Sequence, residues 1–265
     1  MGRLDGKVAV VLGAAGKDNM GQAIARRLKA EGCDVVVAGR QRAPLEDLAR
    51  ELGGLAIPCD ITDRAQVFAL AERAHAWKGH LDVAINGTGW GFLKDFLETT
   101  DEELARITAL QFTGPFVFFQ AMTGAMMRNR PSGGSIMQIS SATATIMLND
   151  HAAYMGTKAG TDHVIRCVAH EFGQHGIRAN SISPGLTETP MTAEAAVIPG
   201  FFDSFLDGYP LGRIGTSDDI AAAVVWLASD ECFMTGENLQ VNGGLTLRRN
   251  PTREEIHASV AAAAG

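Results

Sequence analysis

The apolar run KVAVVL at residues 7–12 leads, with no polar spacer, into GAAGKDNMGQAIARRL. A short β-branched run of this kind reads as a strand buried on both faces, and the amphipathic stretch behind the glycines reads as a helix. A strand that feeds a helix in this way belongs to a crossover unit and calls for a parallel neighbour. The rest of the chain supplies neighbours. Short apolar runs recur at residues 35–38, 55–58 and 81–85 between helical patterns, and the series continues at 135–140, 177–182 and 238–241, with a helix predicted from about 154 to 173. No linker, repeat or low-complexity tract breaks the alternation. It predicts a single α/β domain, a doubly wound parallel sheet with helices on both faces, over residues 1–250. Residues 251–265 follow as a C-terminal extension that either forms a last helix or frays, and it is given no catalytic role.

A chain of 265 residues with 46% hydrophobic content can bury one large core. The net charge of −7, without any block of Lys or Arg, excludes nucleic acid and anionic membrane as favoured partners and leaves small molecules. No apolar stretch of about 18 residues and no export signal is present, so a cytoplasmic protein is expected. Cys33, Cys59, Cys167 and Cys232 form no CxxC pair and read as core cysteines of a reducing compartment. His170 and His175 stand five apart, which turns them about 140° from each other on a helix, so no metal site is expected.

Gly13, Gly16 and Gly21 lie between the first strand and its helix. Glycines there let the backbone turn sharply and approach a pyrophosphate, and the helix N-terminus offers free N–H groups to it. Seven residues separate Gly13 from Gly21, about two more than the usual spacing. The roles of Lys17, Asp18, Asn19 and Met20 are therefore left open.

Further motifs stand along the chain: CDIT at 59–62, NGTG at 86–89, ISS at 139–141, Tyr154-Met-Gly-Thr-Lys158, RANSISPGLTETPM at 178–191, PLGRIG at 210–215 and TGENLQVNGG at 235–244. On these the chain resembles the short-chain dehydrogenase/reductase family from residue 7 to about 244. The resemblance implies a Rossmann-type fold, a nicotinamide coenzyme and an enzyme that moves hydride between it and a carbonyl or secondary alcohol. The family serine lies thirteen residues before the tyrosine, which selects Ser141 over Ser140. The resemblance makes Ser141, Tyr154 and Lys158 catalytic and aligns Gln111 with the asparagine of the family's proton relay, one methylene longer. It places coenzyme contacts at Gly13, Gly16, Gly21, Arg40, Asp60, Ile61, Asn86, Tyr154, Lys158, Pro184, Gly185, Thr187 and Thr189, with Lys158 on the nicotinamide ribose and Thr189 on the carboxamide. In NGTG, where two asparagines followed by Ala-Gly are usual, Asn86 reads as structural and Gly87 as opening the wall slightly.

The residue types suit that chemistry. Tyr154 and Lys158, four apart at a helix start, share one face. A nearby ammonium favours the phenolate and is expected to lower the Tyr154 pKa toward the working range, so that the hydroxyl can exchange a proton with substrate. Ser141 can hydrogen-bond the substrate oxygen as negative charge develops there.

NADP is expected as coenzyme, with NAD as the alternative. The position that carries an acidic residue in NAD-binding members is Gly39, and Arg40, helped by Arg42, is free to grip a 2′-phosphate. Trp90, Phe92, Met147, Leu148, His151, Leu186 and Met191, with a lid over Phe201, Phe202 and Phe205, suggest an apolar pocket for a bulky hydrophobic or aromatic substrate. A 3-oxoacyl-thioester reductase is the alternative enzyme, and a catalytically silent cofactor-sensing regulator the alternative class. The resemblance also implies a homotetramer, with interface helices near 102–127 and 154–173 and apolar residues Phe112, Phe116 and Phe119 to cover.

Overall fold

The computed structural model describes residues 2–190 and 192–264; among the expected pocket residues, Met191 lies outside them. Strands β1 (Val8–Leu12), β2 (Asp34–Gly39), β3 (Leu55–Pro58), β4 (Val83–Asn86), β5 (Gly134–Ile139) and β6 (Ile177–Pro184) join a seven-stranded sheet. A two-stranded ladder, β7 (Thr187–Glu188) with β8 (Gly215–Thr216), stands apart, and β9 (Asn238–Val241) completes the main sheet in the order 3-2-1-4-5-6-9, every pairing parallel. The strand order reverses between β1 and β4, which opens a crevice at their carboxyl ends.

Helices α1 (Met20–Ala30), α2 (Arg42–Leu52) and α9 (Ser217–Ala228) pack on one face of the sheet, and α3 (Arg64–Lys78), α5 (Gly114–Met126) and α6 (Ala152–Phe172) on the other. Successive strand residues divide between the two cores: Ala9 and Val11 enter the first, Val8, Val10 and Leu12 the second. This is why β1 had to be apolar at every position. Helix α4 (Asp101–Thr108), opened by a capping box of Thr100 and Glu103, runs through a π-helical turn, Ala109–Thr113, into α5. Short helices α7 (Ala193–Ala196) and α8 (Asp203–Leu206) follow the β6 turn.

The extension forms helix α10 (Arg253–Ala264), which packs on α8. The Ser259 hydroxyl donates to the Gly200 carbonyl at 2.8 Å, and Arg253 pairs with Asp150. Two expectations need correction. Phe119 is only 1% exposed inside the second core and cannot line a subunit interface, whereas Phe116 on the same helix is 44% exposed. Three cysteines are buried, but Cys167 lies exposed on α6.

Candidate active site

The glycine turn is shaped by close approach. A Cβ on Gly13 would lie 2.8 Å from the Gly87 carbonyl carbon, and one on Gly21 would lie 2.6 Å from the Gly13 oxygen. Gly13 also has φ +106°, a left-handed conformation that side chains rarely adopt. The added residues are absorbed by Asp18, at φ 55°, and by Asn19, which caps α1 by accepting from the Gln22 N–H and donates to the Gly13 oxygen at 2.8 Å. The result is a bare backbone cradle at the head of α1, directly at the strand-order reversal, and it fits a pyrophosphate.

Gly39 closes the next edge. A Cβ there would lie 2.8 Å from the Ala15 Cβ, so the turn itself forbids a carboxylate at the end of β2. Arg40 is exposed and makes no ion pair among the described residues, whereas Arg42 is engaged with Glu46 at 3.4 Å. The Asp60 carboxylate accepts from both the N–H and the hydroxyl of Thr62, and the Cys59 N–H ties this loop to the Gly39 oxygen at 2.8 Å. Ile61 is buried beside it. The side chain of Asn86 is spent inside the protein: it donates to Gln138 at 2.8 Å and accepts from the Thr88 hydroxyl at 2.8 Å. The whole residue is buried in β4, between β1 and β5. Pro184 ends β6 and Gly185 follows it, where the Tyr209 hydroxyl accepts from the Leu186 N–H at 2.6 Å. The Thr192 hydroxyl gathers the turn by donating to the Thr187 carbonyl at 2.8 Å and accepting from the Thr189 N–H at 3.1 Å.

Helix α6 brings Tyr154 and Lys158 to the carboxyl ends of β4 and β5. The Lys158 ammonium is buried, donates to the Ile139 carbonyl at 2.8 Å and lies 5.5 Å from the Tyr154 ring centre. Burial lowers its pKa to about 8, against an upward pull from Asp162. Tyr154 departs from expectation. Burial pushes its phenol up to about 12, opposed by hydrogen bonding from Ser141 and aided by the Asp162 charge, while the Lys158 ammonium is turned to the strand carbonyl. Ser141 lies two residues beyond β5 and caps a short 3-10 turn, with its hydroxyl 2.8 Å from that of Thr143.

Gln111 sits in the π-helical turn and is almost wholly buried. Its side-chain oxygen accepts from the Trp90 N–H at 2.7 Å, its amide donates to Thr157 at 3.1 Å, and its backbone carbonyl accepts from Thr161 at 2.7 Å. Its side-chain oxygen, its amide and its backbone carbonyl thus each hold one partner, and Gln111 fastens the Trp90 loop to α6. His151 stacks on the Tyr154 ring at 4.2 Å, and its Nδ1 donates to the Phe92 carbonyl at 2.9 Å. Burial holds this imidazole neutral, with a pKa near 4.

The expected pocket residues separate in space. Trp90 and Phe92 pack together at 4.5 Å beside His151. Leu148, Leu186 and Phe201 gather on Ala142, Phe205, Tyr209 and Leu245, so Phe205 belongs to the floor under the lid. Met147 is exposed at the rim. Behind the lid a largely apolar groove of about 460 Å³ runs between Ile198, Phe201, Ile256 and Val260, one wall of it α10. Sequence reasoning missed Ile139, whose contribution is a backbone carbonyl, and also Thr143 and Asp162. Only Asp162 left a signal, falling four residues beyond Lys158 on the Tyr154 face.

The chain is similar to known proteins over most of its length. Residues 13–246 match the family model described as enoyl-(acyl carrier protein) reductase. The chain is 34% identical to D-threitol dehydrogenase of Mycolicibacterium smegmatis, over 93% of this chain and 95% of that one. It is 33% identical to the 3-oxoacyl-acyl-carrier-protein reductase of Escherichia coli, over 91% and 98%. A short-chain type dehydrogenase/reductase structure from Mycobacterium ulcerans superposes with a TM-score of 0.89 at 27% identity, covering 96% of this chain and 98% of that one.

Proposed function

The chain belongs to the short-chain dehydrogenase/reductase family, a nicotinamide-dependent oxidoreductase of alcohols and ketones, and we propose that its substrate is a bulky apolar secondary alcohol or its ketone, with NADP the preferred coenzyme. The observation that carries the substrate class is the apolar continuity from Ala142 through Leu148, Leu186 and Phe201 to the groove against α10. The nicotinamide supplies or accepts the hydride. Tyr154 gives the carbonyl oxygen its proton in reduction and takes it back in oxidation, Ser141 stabilises the charge on that oxygen, and the Lys158 ammonium favours phenolate when it turns from the Ile139 carbonyl toward the phenol. Gly13, Gly16 and Gly21 cradle the pyrophosphate, and Arg40 meets the 2′-phosphate. Asp60, Ile61, Pro184, Gly185, Thr187 and Thr189 border the coenzyme, with the backbone of Asn86 beneath it. The working form is a cytoplasmic homotetramer in which the exposed Phe116 face of α5 is covered.

A second reading follows the relatives named for a polyol or a carrier-bound 3-oxoacyl group. The mouth disfavours an acidic carrier, because the cations there are engaged: Arg253 with Asp150, Arg249 with Glu255, Lys94 with Glu103 and Arg106 over Trp90. Absorbance of reduced nicotinamide, followed with both coenzymes against aryl and alicyclic secondary alcohols, threitol and a 3-oxoacyl thioester, separates these readings. Greater kcat/KM for threitol than for the apolar alcohols would overturn the first. Sedimentation as a 28 kDa monomer at micromolar concentration would overturn the tetramer.

A further inference from the structure

Tyr154, Lys158 and Asp162 follow one another at four-residue steps on α6, so a carboxylate lies one helical turn beyond the lysine, on the face turned to the sheet. Two segments of the sheet hold it there. Asp162 Oδ2 accepts from the Ser140 hydroxyl at 2.8 Å, on the residue after β5, and from the Asn238 amide of β9 at 2.6 Å. Its other oxygen, Oδ1, is buried without a formed hydrogen bond, and so is the hydroxyl of Ser181 on β6, which faces it. A carboxylate partly withdrawn from water, with one oxygen fully shielded, is costly to keep unless it serves a nearby charge. Lys158 is the nearby charge. Its ammonium is buried with one carbonyl as its hydrogen-bond acceptor, too little to compensate a full positive charge.

We propose that Asp162 is a positioning residue of the acid–base centre, a fixed negative charge that keeps Lys158 protonated and holds the strand end on which Ser141 rides. The groups facing it are Lys158 on its own helix, Ser140, Ser181 and Asn238 from the sheet and, further along α6, Tyr154. Of these only Lys158 and Tyr154 titrate. Burial raises the Asp162 carboxyl, and Ser181, Ser140, Lys158 and Asn238 all act to keep it ionised. Both Tyr154 and Lys158 are pulled upward by its charge. The functional consequence rests on the reading of Tyr154 and Lys158 as the acid–base pair; the electrostatic link between Asp162 and Lys158 does not.

Asp162→Asn tests the link without disturbing the hydrogen bonds. The amide oxygen can take the place of Oδ2 and accept from Ser140 and Asn238, and the amide nitrogen can take the place of Oδ1 and donate to the unpartnered Ser181 oxygen. Carbon-13 NMR titration of the lysine Cε signals needs neither substrate nor coenzyme. Among six lysines, Lys158 is expected to titrate alone near 8, its signal identified by its loss in Lys158→Met. In Asp162→Asn this midpoint should fall by about one pH unit, the effect of removing a nearby unit charge at an effective dielectric of about 20. An unmoved or raised midpoint overturns the proposal. Asp162→Ser gives the same reading if the asparagine variant does not fold, and failure of both to fold assigns Asp162 to the fold and overturns the proposal too. Substantial turnover in Tyr154→Phe, with the midpoint still falling in Asp162→Asn, would sink the acid–base reading and leave the electrostatic link standing.

Discussion

The coenzyme half of the molecule, built on β1 to β3, and the catalytic half, built on β5, β6 and α6, are shaped by different constraints. In the first, atoms are missing where chain segments meet: Gly13 against Gly87, Gly21 against Gly13, Gly39 against the Ala15 methyl. In the second, polar atoms must be satisfied in the core: Gln111, Gln138, Ser140, Lys158 and Ser183 are all buried. The difference shows in stability. A lysine whose folded pKa is near 8 rather than 10.5 binds fewer protons than it does unfolded between those values. Its burial therefore costs about 3 kcal/mol at neutral pH, and the cost fades as pH rises through that window. The coenzyme half carries no such burden; its buried thiols, Cys33 and Cys59, are raised to about 12 and stay neutral.

The largest effect is expected in the catalytic half. Tyr154→Phe removes one hydroxyl and should leave coenzyme binding and melting temperature intact while abolishing nearly all turnover. Ser141→Ala removes one hydrogen bond to developing charge, which costs about 100- to 1,000-fold in kcat. Steady-state kinetics on both variants gives the order, and a serine variant slower than the phenylalanine one would reverse the assigned roles.

His151 extends the contrast to pH. Its folded pKa near 4 lies below the ordinary 6.5, so the neutral ring is the form the fold accepts. That contribution is complete above pH 6.5 and is lost as pH falls toward 4, a change of about 3 kcal/mol. Denaturant unfolding of wild type and His151→Asn at pH 7.5 and at pH 4.5 should show a smaller acid loss in the variant, whose amide can still donate to Phe92. Equal losses would mean that the ring is not titrating in the fold.

Arg40 probes the coenzyme half. Since the turn excludes a carboxylate at Gly39, discrimination between the two coenzymes falls to a side chain that reaches in from outside. A charged hydrogen bond to the 2′-phosphate is worth roughly 1.5–3 kcal/mol, or about 10- to 150-fold. Arg40→Ala should lower the NADP to NAD ratio of kcat/KM by that factor. A wild type that prefers NAD, or a ratio that the substitution leaves unchanged, would defeat this assignment.

The two halves also differed in how far the sequence disclosed them. The strand and glycine pattern was legible because apolar runs such as VAVVL report burial on both faces, and the seven main strands lie within a residue or two of their expected places. Gly39 was read as a missing charge, and only the distance to Ala15 shows that sterics compel it. In the catalytic half the Tyr154–Lys158 spacing was plain, but the partners were not. The π-helical turn that buries Gln111 has no composition signal, a carbonyl such as that of Ile139 has no side chain to read, and Ser140, Asp162 and Asn238 meet only after three separate segments pack.

The smallest effect belongs to the extension, which spans the mouth of the catalytic half. Helix α10 is held on one side by Ser259 at Gly200 and by Ile256 in the cluster under the lid, and on the other by Arg253 at Asp150, in the loop before α6. Arg253 and Asp150 are each partly exposed, and such ion pairs contribute about 0–1 kcal/mol, so Arg253→Ala should barely change the melting temperature. Its effect should appear in substrate binding. The wall of the apolar groove is free to swing when the latch is gone, which weakens ground-state and transition-state binding alike and raises KM severalfold with kcat preserved. The change should be confined to bulky apolar alcohols, because a small substrate does not reach α10. Equal KM increases for large and small alcohols, or a fall in kcat with KM constant, would separate the extension from the substrate mouth and return it to a purely structural role.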